Sequence, residues 1–231
     1  MSVPPKTLLD SAKDWLTDVT TGLYMISATC GLVDAVCFLA LGGVFAEMMT
    51  GNLLLMALSI GTGGALGETA RYIPAIVAFV LGALVGGRLL RAPKRLQERR
   101  IGFAVEWGVI VGATALTCVA EPNAHDLTGH VAVAMLAFAM GIQNAMLRVH
   151  GVPDIATNVM TVTFTGIIAD SALAGGTNRN WRRRVTSVGL FMAGAALGGF
   201  LLKFGTSWPL VLTSVVFSVA ILPLMFGERR E

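Results

Sequence analysis

The sequence predicts an all-α polytopic membrane protein with two tandem inverted repeats, six full transmembrane helices and two polar broken or re-entrant segments. Three observations predict this fold. Only 13% of the 231 residues are charged and 55% are hydrophobic, whereas a soluble domain has about 25% charged residues. Several stretches reach the roughly 20 apolar residues that cross a bilayer. Motifs of the first half also recur in the second half, about 111 residues later.

Residues 1–21 are predicted to form an amphipathic leader. In the segment LLDSAKDWLTDV the apolar residues share one helical face, and Trp15 would anchor that face at the membrane surface. A solvated amphipathic leader is the alternative. The segment lacks the basic start and cleavage site of a secretory signal.

Six stretches have the length and composition of full spans. They are 22–43, 72–90, 101–120, 130–148, 185–203 and 208–226. Basic or turn-forming segments separate most of them. Two polar stretches, 46–61 and 156–174, remain outside these spans. Each carries polar groups near its middle.

The halves 22–120 and 121–231 are interpreted as membrane repeats 1 and 2 of one integral membrane domain. The segment FVLGALVGGRLL (79–90) matches FMAGAALGGFLL (191–202) at 7 of 12 positions. In the first span of each half, Gly31, Asp34 and Ala35 correspond to Gly141, Asn144 and Ala145. Matched order at a nearly constant offset indicates a duplicated unit.

The distribution of basic residues favours inverted over parallel halves. If both polar segments re-enter, 15 Lys and Arg residues lie on the cytoplasmic side and only Arg71 and Lys203 lie outside. If both segments span, eight helices cross the membrane, with 9 Lys and Arg residues on the cytoplasmic side and 8 outside. The positive-inside rule therefore predicts six spans with both termini in the cytoplasm.

The two polar segments are predicted to contribute a substrate-binding site. Irregular backbone at membrane depth is tolerated only where protein or a water-filled cavity satisfies it, and matched interrupted helices are typical of secondary transporters. The predicted ligands are Thr50, Gly51 and Asn52 in the first segment and Asn158, Thr161 and Thr163 in the second. Bonding between neighbouring helices is the alternative role for these groups.

Asp34 is the most informative polar residue, because an acid within an apolar span is costly and usually functional. Its counterpart Asn144 suggests a pseudo-symmetric pocket with one titratable member, and both are predicted to bind substrate. Asp34, Glu47 and Asp170 are the predicted coupling residues. An ion pair between Asp34 and Arg148 is the structural alternative. We expect Glu106 to lie near a span end, directed to the interface.

Other patterns have simpler explanations. The net charge of +3 fits basic residues at helix ends, so no nucleic-acid partner is predicted. The cysteines lie in apolar stretches and the histidines share no ligand spacing, so no metal site and no cofactor are predicted. Glycines on two spans predict close helix packing, with a homodimer as the less favoured alternative; they are Gly82, Gly86, Gly87, Gly194, Gly198 and Gly199.

The segment GLVDAVCFLALGGVFAEMMTGNLLLMALSIG (31–61) carries a family resemblance. Its Val33-Asp34-Ala35, Leu41-Gly42-Gly43 and Met49-Thr50-Gly51-Asn52 motifs resemble the YoaK-like family of bacterial inner-membrane proteins, domain of unknown function 1275. Typical members have an amide or small residue around the position of Glu47, so that acid is a departure from the pattern. The resemblance implies a bacterial inner-membrane location and supplies no substrate.

The function predicted from these patterns is a secondary transporter or permease for an unidentified small solute, with Asp34 as the candidate for proton coupling. A passive channel and a non-transporting accessory protein are alternatives. Enzymatic activity is not predicted, because no catalytic motif lies at membrane depth. Acid–base chemistry would require Asp34, Glu47 and Asp170 to converge.

Overall fold

A computed structural model describes residues 18–91, 95–124, 126–150 and 160–226, and these ranges contain helices but no strand. The helices are α1 (Val19–Leu39), α2 (Met49–Gly61), α3 (Leu66–Ala70), α4 (Tyr72–Arg91), α5 (Arg95–Ala120), α6 (Leu127–His150), α7 (Met160–Ala169), α8 (Trp181–Leu201) and α9 (Ser207–Phe226). The predicted all-α fold is confirmed. Most of the predicted leader, residues 1–17, lies outside the described residues.

Six helices are long and apolar enough to cross a membrane, namely α1, α4, α5, α6, α8 and α9. The six predicted spans are therefore confirmed as candidates. Helices α2 and α7 have 13 and 10 residues. At 1.5 Å per residue they reach about 20 and 15 Å, well short of a hydrocarbon core of about 30 Å. Within the described residues, neither helix alone reaches that thickness.

The first span ends earlier than predicted, at Leu39 rather than at residue 43. Gly42 and Gly43 have φ angles of +103° and +71°, a region that glycine adopts without the steric cost of a Cβ atom. The chain therefore leaves the helix here and turns back. The segment 40–48, between α1 and α2, is named the α1–α2 connection below.

An aspartate caps the first helix of each half. Asp18 Oδ1 accepts a hydrogen bond from the Thr20 backbone N–H at 3.0 Å at the start of α1. Asp126 Oδ1 accepts one from the Gly129 N–H at 2.6 Å at the start of α6. Unsatisfied N–H groups at a helix start are stabilised by such side chains. The hydrogen bond from the Gly129 N–H holds the pKa of Asp126 below its ordinary value.

Helices α1 and α6 form the centre of the molecule, and α4 and α8 lie at the periphery. Most of the apolar window of α1 is buried, whereas little of that of α4 or α8 is. Fully buried side chains such as Ile26, Phe103, Leu136 and Phe217 come from α1, α5, α6 and α9. The outward faces of α4 and α8 are apolar and exposed, as expected for surfaces that contact lipid.

Glycines set the contact between α1 and α8. A Cβ atom on Gly31 would overlap the carbonyl oxygen of Phe191, and one on Gly194 would overlap that of Ala28. Buried Ser27 and Ser187 also share a hydrogen bond of 3.0 Å. Further along both helices, a Cβ atom on Gly198 would contact Ala35. The series from the Ser27–Ser187 pair to the Ala35–Gly198 pair therefore advances along both helices, and α1 and α8 pack in parallel. Small residues allow this close backbone approach.

The contact between α6 and α4 is the equivalent one. A Cβ atom on Gly141 would overlap the carbonyl oxygen of Phe79, and one on Gly82 would overlap that of Phe138. These residues correspond to those of the α1–α8 contact at offsets of 110 to 112. Further along both helices, a Cβ atom on Gly86 would contact Ala145, so α6 and α4 also pack in parallel. The predicted glycine packing within one chain is confirmed at Gly82, Gly86, Gly194 and Gly198, and it is wrong at Gly87, where a Cβ atom would have no neighbour.

Helix α5 packs antiparallel to both α6 and α9. A Cβ atom on Gly102 would contact Met146, and one on Gly112 would contact Met135, so the contacts with α6 run in opposite directions. The contacts with α9 also run in opposite directions: Trp107 Nε1 donates to Ser218 Oγ at 2.7 Å, and Thr114 Oγ1 hydrogen-bonds Ser214 Oγ at 2.8 Å.

Candidate functional site

The α1–α2 connection returns along α1 and is fixed there by Asp34. Asp34 Oδ1 accepts hydrogen bonds from the backbone N–H groups of Ala46 at 2.8 Å and Glu47 at 3.0 Å. The side chain of Asp34 is only 4% exposed. Hydrogen bonds from N–H groups to a carboxylate are stronger than those between neutral groups. Asp34 therefore holds non-helical backbone at its own depth in the membrane.

Asn52 provides the second attachment of the connection. Its Oδ1 accepts from the Phe45 N–H at 2.8 Å, and its Nδ2 donates to the Phe45 carbonyl oxygen at 2.7 Å. The Phe45 ring stacks on Phe38 at 4.8 Å and lies against Gly51, where a Cβ atom would come within 2.9 Å. The Gly-Asn pair after Thr50 thus holds the connection against the start of α2.

Glu47 enters the protein interior from this connection. Its side chain is 6% exposed and lies next to the Cys30 thiol of α1 and the Asn144 amide of α6. Neither carboxylate oxygen has a partner that meets hydrogen-bond geometry. Cys30 Sγ in turn accepts from Gln143 Nε2 at 3.1 Å. Polar groups from α1, the connection and α6 therefore meet at one buried point.

Glu106 of α5 joins this group. It is 0% exposed and lies within electrostatic range of Glu47. The expectation that Glu106 reaches the interface is wrong. The predicted span began at residue 101, but α5 begins at Arg95, so Glu106 lies near the middle of the helix. We name Cys30, Asp34, Glu47, Glu106, Gln143 and Asn144 the carboxyl cluster.

The carboxyl cluster is rich in oxygen atoms without partners. By hydrogen-bond geometry they are Asp34 Oδ2, both carboxylate oxygens of Glu47 and of Glu106, and Gln143 Oε1. The Glu47 carboxylate nevertheless lies in hydrogen-bonding range of the Cys30 thiol and the Asn144 amide. Native proteins pair nearly all buried polar groups, so each exception needs an explanation. Within the described ranges, no three or more His, Cys, Asp or Glu residues are grouped to hold a metal ion.

The hydroxyl groups predicted to bind substrate lie in different environments. Thr50 and Thr161 are exposed on α2 and α7, whereas Thr163 is 5% exposed. Asn144 is half-buried beside Glu47 and also donates to the Met140 carbonyl oxygen at 2.9 Å. Asn158 lies outside the described residues. Of the predicted substrate ligands, Asp34 and Asn144 belong to the carboxyl cluster.

Asp170 lies away from the carboxyl cluster. Its side chain is 53% exposed and forms an ion pair with Arg184 at 2.5 Å. The same guanidinium donates to the Gly166 carbonyl oxygen. Asp170 is therefore an anchor between α7 and α8, and it does not converge with Asp34 and Glu47. Arg148 is exposed on α6, so the alternative ion pair with buried Asp34 is not formed.

Sequence reasoning missed Glu106 and Gln143 as members of the cluster. Each had a signal in the sequence. Gln143 directly precedes the predicted site residue Asn144. The apolar run after Glu106 could have been extended backwards into a helix of 26 residues with Glu106 near its middle. Cys30 had been recognised only as a small hydrophobic residue. Its contact with Glu47 depends on the return of the α1–α2 connection, which no local pattern encodes.

Comparisons with known proteins identify the family of the chain. A family model described as "Protein of unknown function (DUF1275)" matches residues 22–222. The UPF0700 transmembrane protein YoaK of Bacillus subtilis (strain 168) is 25% identical over 151 residues, covering 65% of this chain and 66% of that protein, just under two thirds of its length. No solved structure matches the chain. The chain is therefore a membrane protein of the DUF1275 family, to which YoaK-like proteins belong.

Proposed function

We propose that this protein is a secondary transporter for a small solute, built from two inverted repeats that expose the carboxyl cluster alternately to the two sides of the membrane. The observation that carries the proposal is the cluster itself. It unites acidic and amide side chains from both halves at membrane depth, and its carboxylate oxygens are sealed from solvent. Sites of this type, at the contact between repeats, are typical of secondary transporters.

The directions of the helices support inversion. Helix α6 is parallel to α4 and antiparallel to α5, and α5 is antiparallel to α9. The turn at Leu202–Phe204 joins α8 to α9 as a hairpin, so α8 runs opposite to α9. Because α1 is parallel to α8, it runs opposite to α6. The first spans of the two halves then cross the membrane in opposite directions.

The short helix α2 fits the same arrangement. With α1 and α4 running in opposite directions, the chain between them must return to the surface where α1 ended. The α1–α2 connection starts that return at the depth of Asp34, and α2 completes it over 13 residues. Non-helical backbone at this depth is satisfied by Asp34 and Asn52, as the bilayer requires.

The energetics favour a functional over a purely structural cluster. Hydroxyl groups that only stabilise helix contacts are paired, as Ser27 and Ser187 are. The carboxylates of Glu47 and Glu106 instead have unpartnered oxygens in the interior. Burying an unpaired polar group costs free energy, and acids at such places within membrane proteins usually mark ion or substrate pathways.

The thiol of Cys30 offers a direct test, because it is fully buried against Glu47. In a protein that keeps Cys30 and lacks Cys37 and Cys118, a small impermeant thiol reagent should label Cys30 from each side of the membrane, in right-side-out and in inside-out vesicles. Alternate opening of the cluster predicts labelling from both sides. A static accessory protein predicts labelling from neither.

The matched control keeps Cys37 alone. Cys37 is also fully buried on α1, about two turns further along the helix, so general unfolding would expose both thiols. Faster labelling of Cys30 than of Cys37 supports a specific opening. Equal rates for the two thiols, or labelling of Cys30 from one side only, would contradict alternating access.

A further inference from the structure

We propose that a cavity between the end of α7 and the start of α8 binds the phosphate group of an anionic phospholipid; this inference is independent of the proposed transport function. The cavity has a volume of about 520 Å³, and pockets for small ligands measure about 300–1,000 Å³. Asp170, Thr177, Arg179 and Arg184 line it together with small residues. The lining therefore combines two guanidinium groups with one carboxylate.

The turn that lines the cavity is fixed by its own hydrogen bonds. The Gly176 N–H donates to the Ser171 carbonyl oxygen at 2.8 Å, and the Asn178 N–H donates to the Asp170 carbonyl oxygen at 2.9 Å. Asn178 Oδ1 accepts from the Ala172 N–H at 3.1 Å. The backbone around the cavity is thus ordered before a ligand binds, which lowers the entropy cost of binding.

The two arginines of the lining differ in what holds them. Arg184 is partly buried, and its guanidinium binds the Asp170 carboxylate and the Gly166 carbonyl oxygen. Arg179 is exposed, and within the described ranges of the chain it has no ion-pair partner. A guanidinium group can bind phosphate through two parallel hydrogen bonds. We therefore assign Arg179 to the ligand and Arg184 to the wall of the cavity.

The equivalent turn of the first half does not carry this basic charge. Gly63 and Gly175 lie 112 positions apart and have φ angles of +73° and +80°. In both turns the next residue donates its N–H to a serine carbonyl oxygen at 2.8 Å. Residues 54–74 contain one arginine and one glutamate and have no net charge, whereas residues 166–186 contain four arginines and one aspartate, a net charge of +3. The geometry of the turn therefore does not explain the arginines.

The position of the cavity indicates a lipid as the source of the phosphate. Helix α8 is a candidate span that begins at Trp181. Trp181 is 47% exposed, and Arg182 Cζ lies 5.9 Å from the centre of its ring. Tryptophan and basic residues at the end of a span lie at the level of the lipid headgroups, and clusters of about four to eight Lys and Arg beside a span attract anionic lipids. An anionic headgroup is favoured over phosphatidylcholine, whose choline cation would meet the same arginines.

The test measures the lipid preference of the full-length protein purified in detergent. Thermal unfolding is followed in micelles that contain phosphatidylglycerol or phosphatidylcholine at the same mole fraction and ionic strength. At about ten times Kd, phosphatidylglycerol should raise Tm by about 3–6 °C above the phosphatidylcholine value. Arg179→Gln should remove most of this rise. The matched control Arg182→Gln, which alters an exposed arginine outside the cavity lining, should keep at least half of it.

A further arm separates a lipid from a soluble phosphate compound. Inorganic phosphate, added to phosphatidylcholine micelles at equal ionic strength, should give less than half of the rise in Tm. A full rise with inorganic phosphate alone would overturn the assignment to a lipid. The cavity is excluded as the site if phosphatidylglycerol gives no rise. It is also excluded if Arg179→Gln and Arg182→Gln reduce the rise equally, the result expected of diffuse attraction to basic residues.

Discussion

Gly31 and Gly141 occupy equivalent positions in the two halves and have equivalent neighbours, the backbones of Phe191 in α8 and Phe79 in α4. Asp34 and Asn144 are equivalent in sequence as well, yet their contacts differ. Asp34 binds two backbone N–H groups of the α1–α2 connection, whereas Asn144 donates to a carbonyl group of its own helix. The helix packing is therefore equivalent in the two halves, whereas the contacts of Asp34 and Asn144 are not.

This difference separates two kinds of constraint. Close helix contact is satisfied by small residues in either half, so the repeat preserves glycine at the crossing points. The cluster, in contrast, takes different groups from each half. The first half contributes three carboxylates (Asp34, Glu47 and Glu106), and the second half contributes two amides, Gln143 and Asn144. Equivalent helix contacts in the two halves therefore surround a site whose polar groups are not equivalent.

The largest expected effect concerns the duplicated packing. Gly194→Ala and its counterpart Gly82→Ala would each place a Cβ atom against a backbone carbonyl oxygen of the facing helix. Since backbone atoms cannot rotate away, each should lower the free energy of unfolding by about 3 kcal/mol or more. Gly189→Ala and Gly87→Ala, on the same two helices in open space, should change it by less than about 1 kcal/mol. Thermal unfolding in detergent compares the four; unequal losses at Gly194 and Gly82 would break the equivalence of the halves.

The next effect concerns Asp34 and Asn144. Asp34→Ala leaves two buried N–H groups without an acceptor, and we expect a loss of about 2–3 kcal/mol with faster labelling of Cys30 as the connection detaches. Asp34→Asn, which keeps one acceptor oxygen, should lose about 1–2 kcal/mol. Asn144→Ala should cost less than Asp34→Ala. Unfolding and thiol labelling measure both effects, and similar losses at the two positions would show that Asp34 does not hold the connection.

A smaller comparison lies within α2. Asn52→Leu removes both hydrogen bonds to the Phe45 backbone and should cost about 2 kcal/mol. Thr50→Val, two residues earlier and exposed, should change the free energy of unfolding by no more than about 0.5 kcal/mol. Thermal unfolding of the two variants tests this assignment. A larger loss of unfolding free energy for Thr50→Val would contradict this assignment and make Thr50 a candidate site residue again.

The smallest effect is at the start of α6. The pKa of Asp126 is lowered in the folded protein by the Gly129 N–H and the Thr128 hydroxyl. A lowered pKa stabilises the fold above the ordinary aspartate value of 3.8, and this stabilisation is lost as the pH falls through the lowered value. Asp126→Asn should therefore lower Tm slightly at pH 6 and less at pH 3. A difference that grows on acidification would contradict the assignment.

The scaffold was accessible from sequence because its signals are local. Apolar length predicted the six spans, and the offset between GALVGG and GAALGG predicted equivalent glycines. The broken segment was predicted from Thr50, Gly51 and Asn52. Gly51 and Asn52 contact Phe45 and hold the connection, whereas Thr50 is exposed on α2. The first span was predicted too long, since the positive φ angles at Gly42 and Gly43 leave no distinct pattern in an apolar stretch.

The cluster was only partly accessible from sequence. Asp34 stood out as an acid among apolar residues, but its two backbone partners lie 12 and 13 positions away. Glu106 was wrongly predicted to lie near a span end, because the basic residues before position 101 were taken as a connecting segment, although they form the first turns of α5. Contacts between α5, α6 and the α1–α2 connection depend on how the halves pack, and a single sequence does not specify that packing residue by residue.

The most direct test of the account is the sidedness of the first helix of each half. In a cysteine-free background, Thr20→Cys and Leu127→Cys place one thiol at the start of α1 or of α6, and an impermeant thiol reagent is applied to intact cells and to inside-out vesicles. Inverted halves predict that the two thiols label from opposite sides of the membrane. Labelling of both from the same side would show parallel halves and contradict the account.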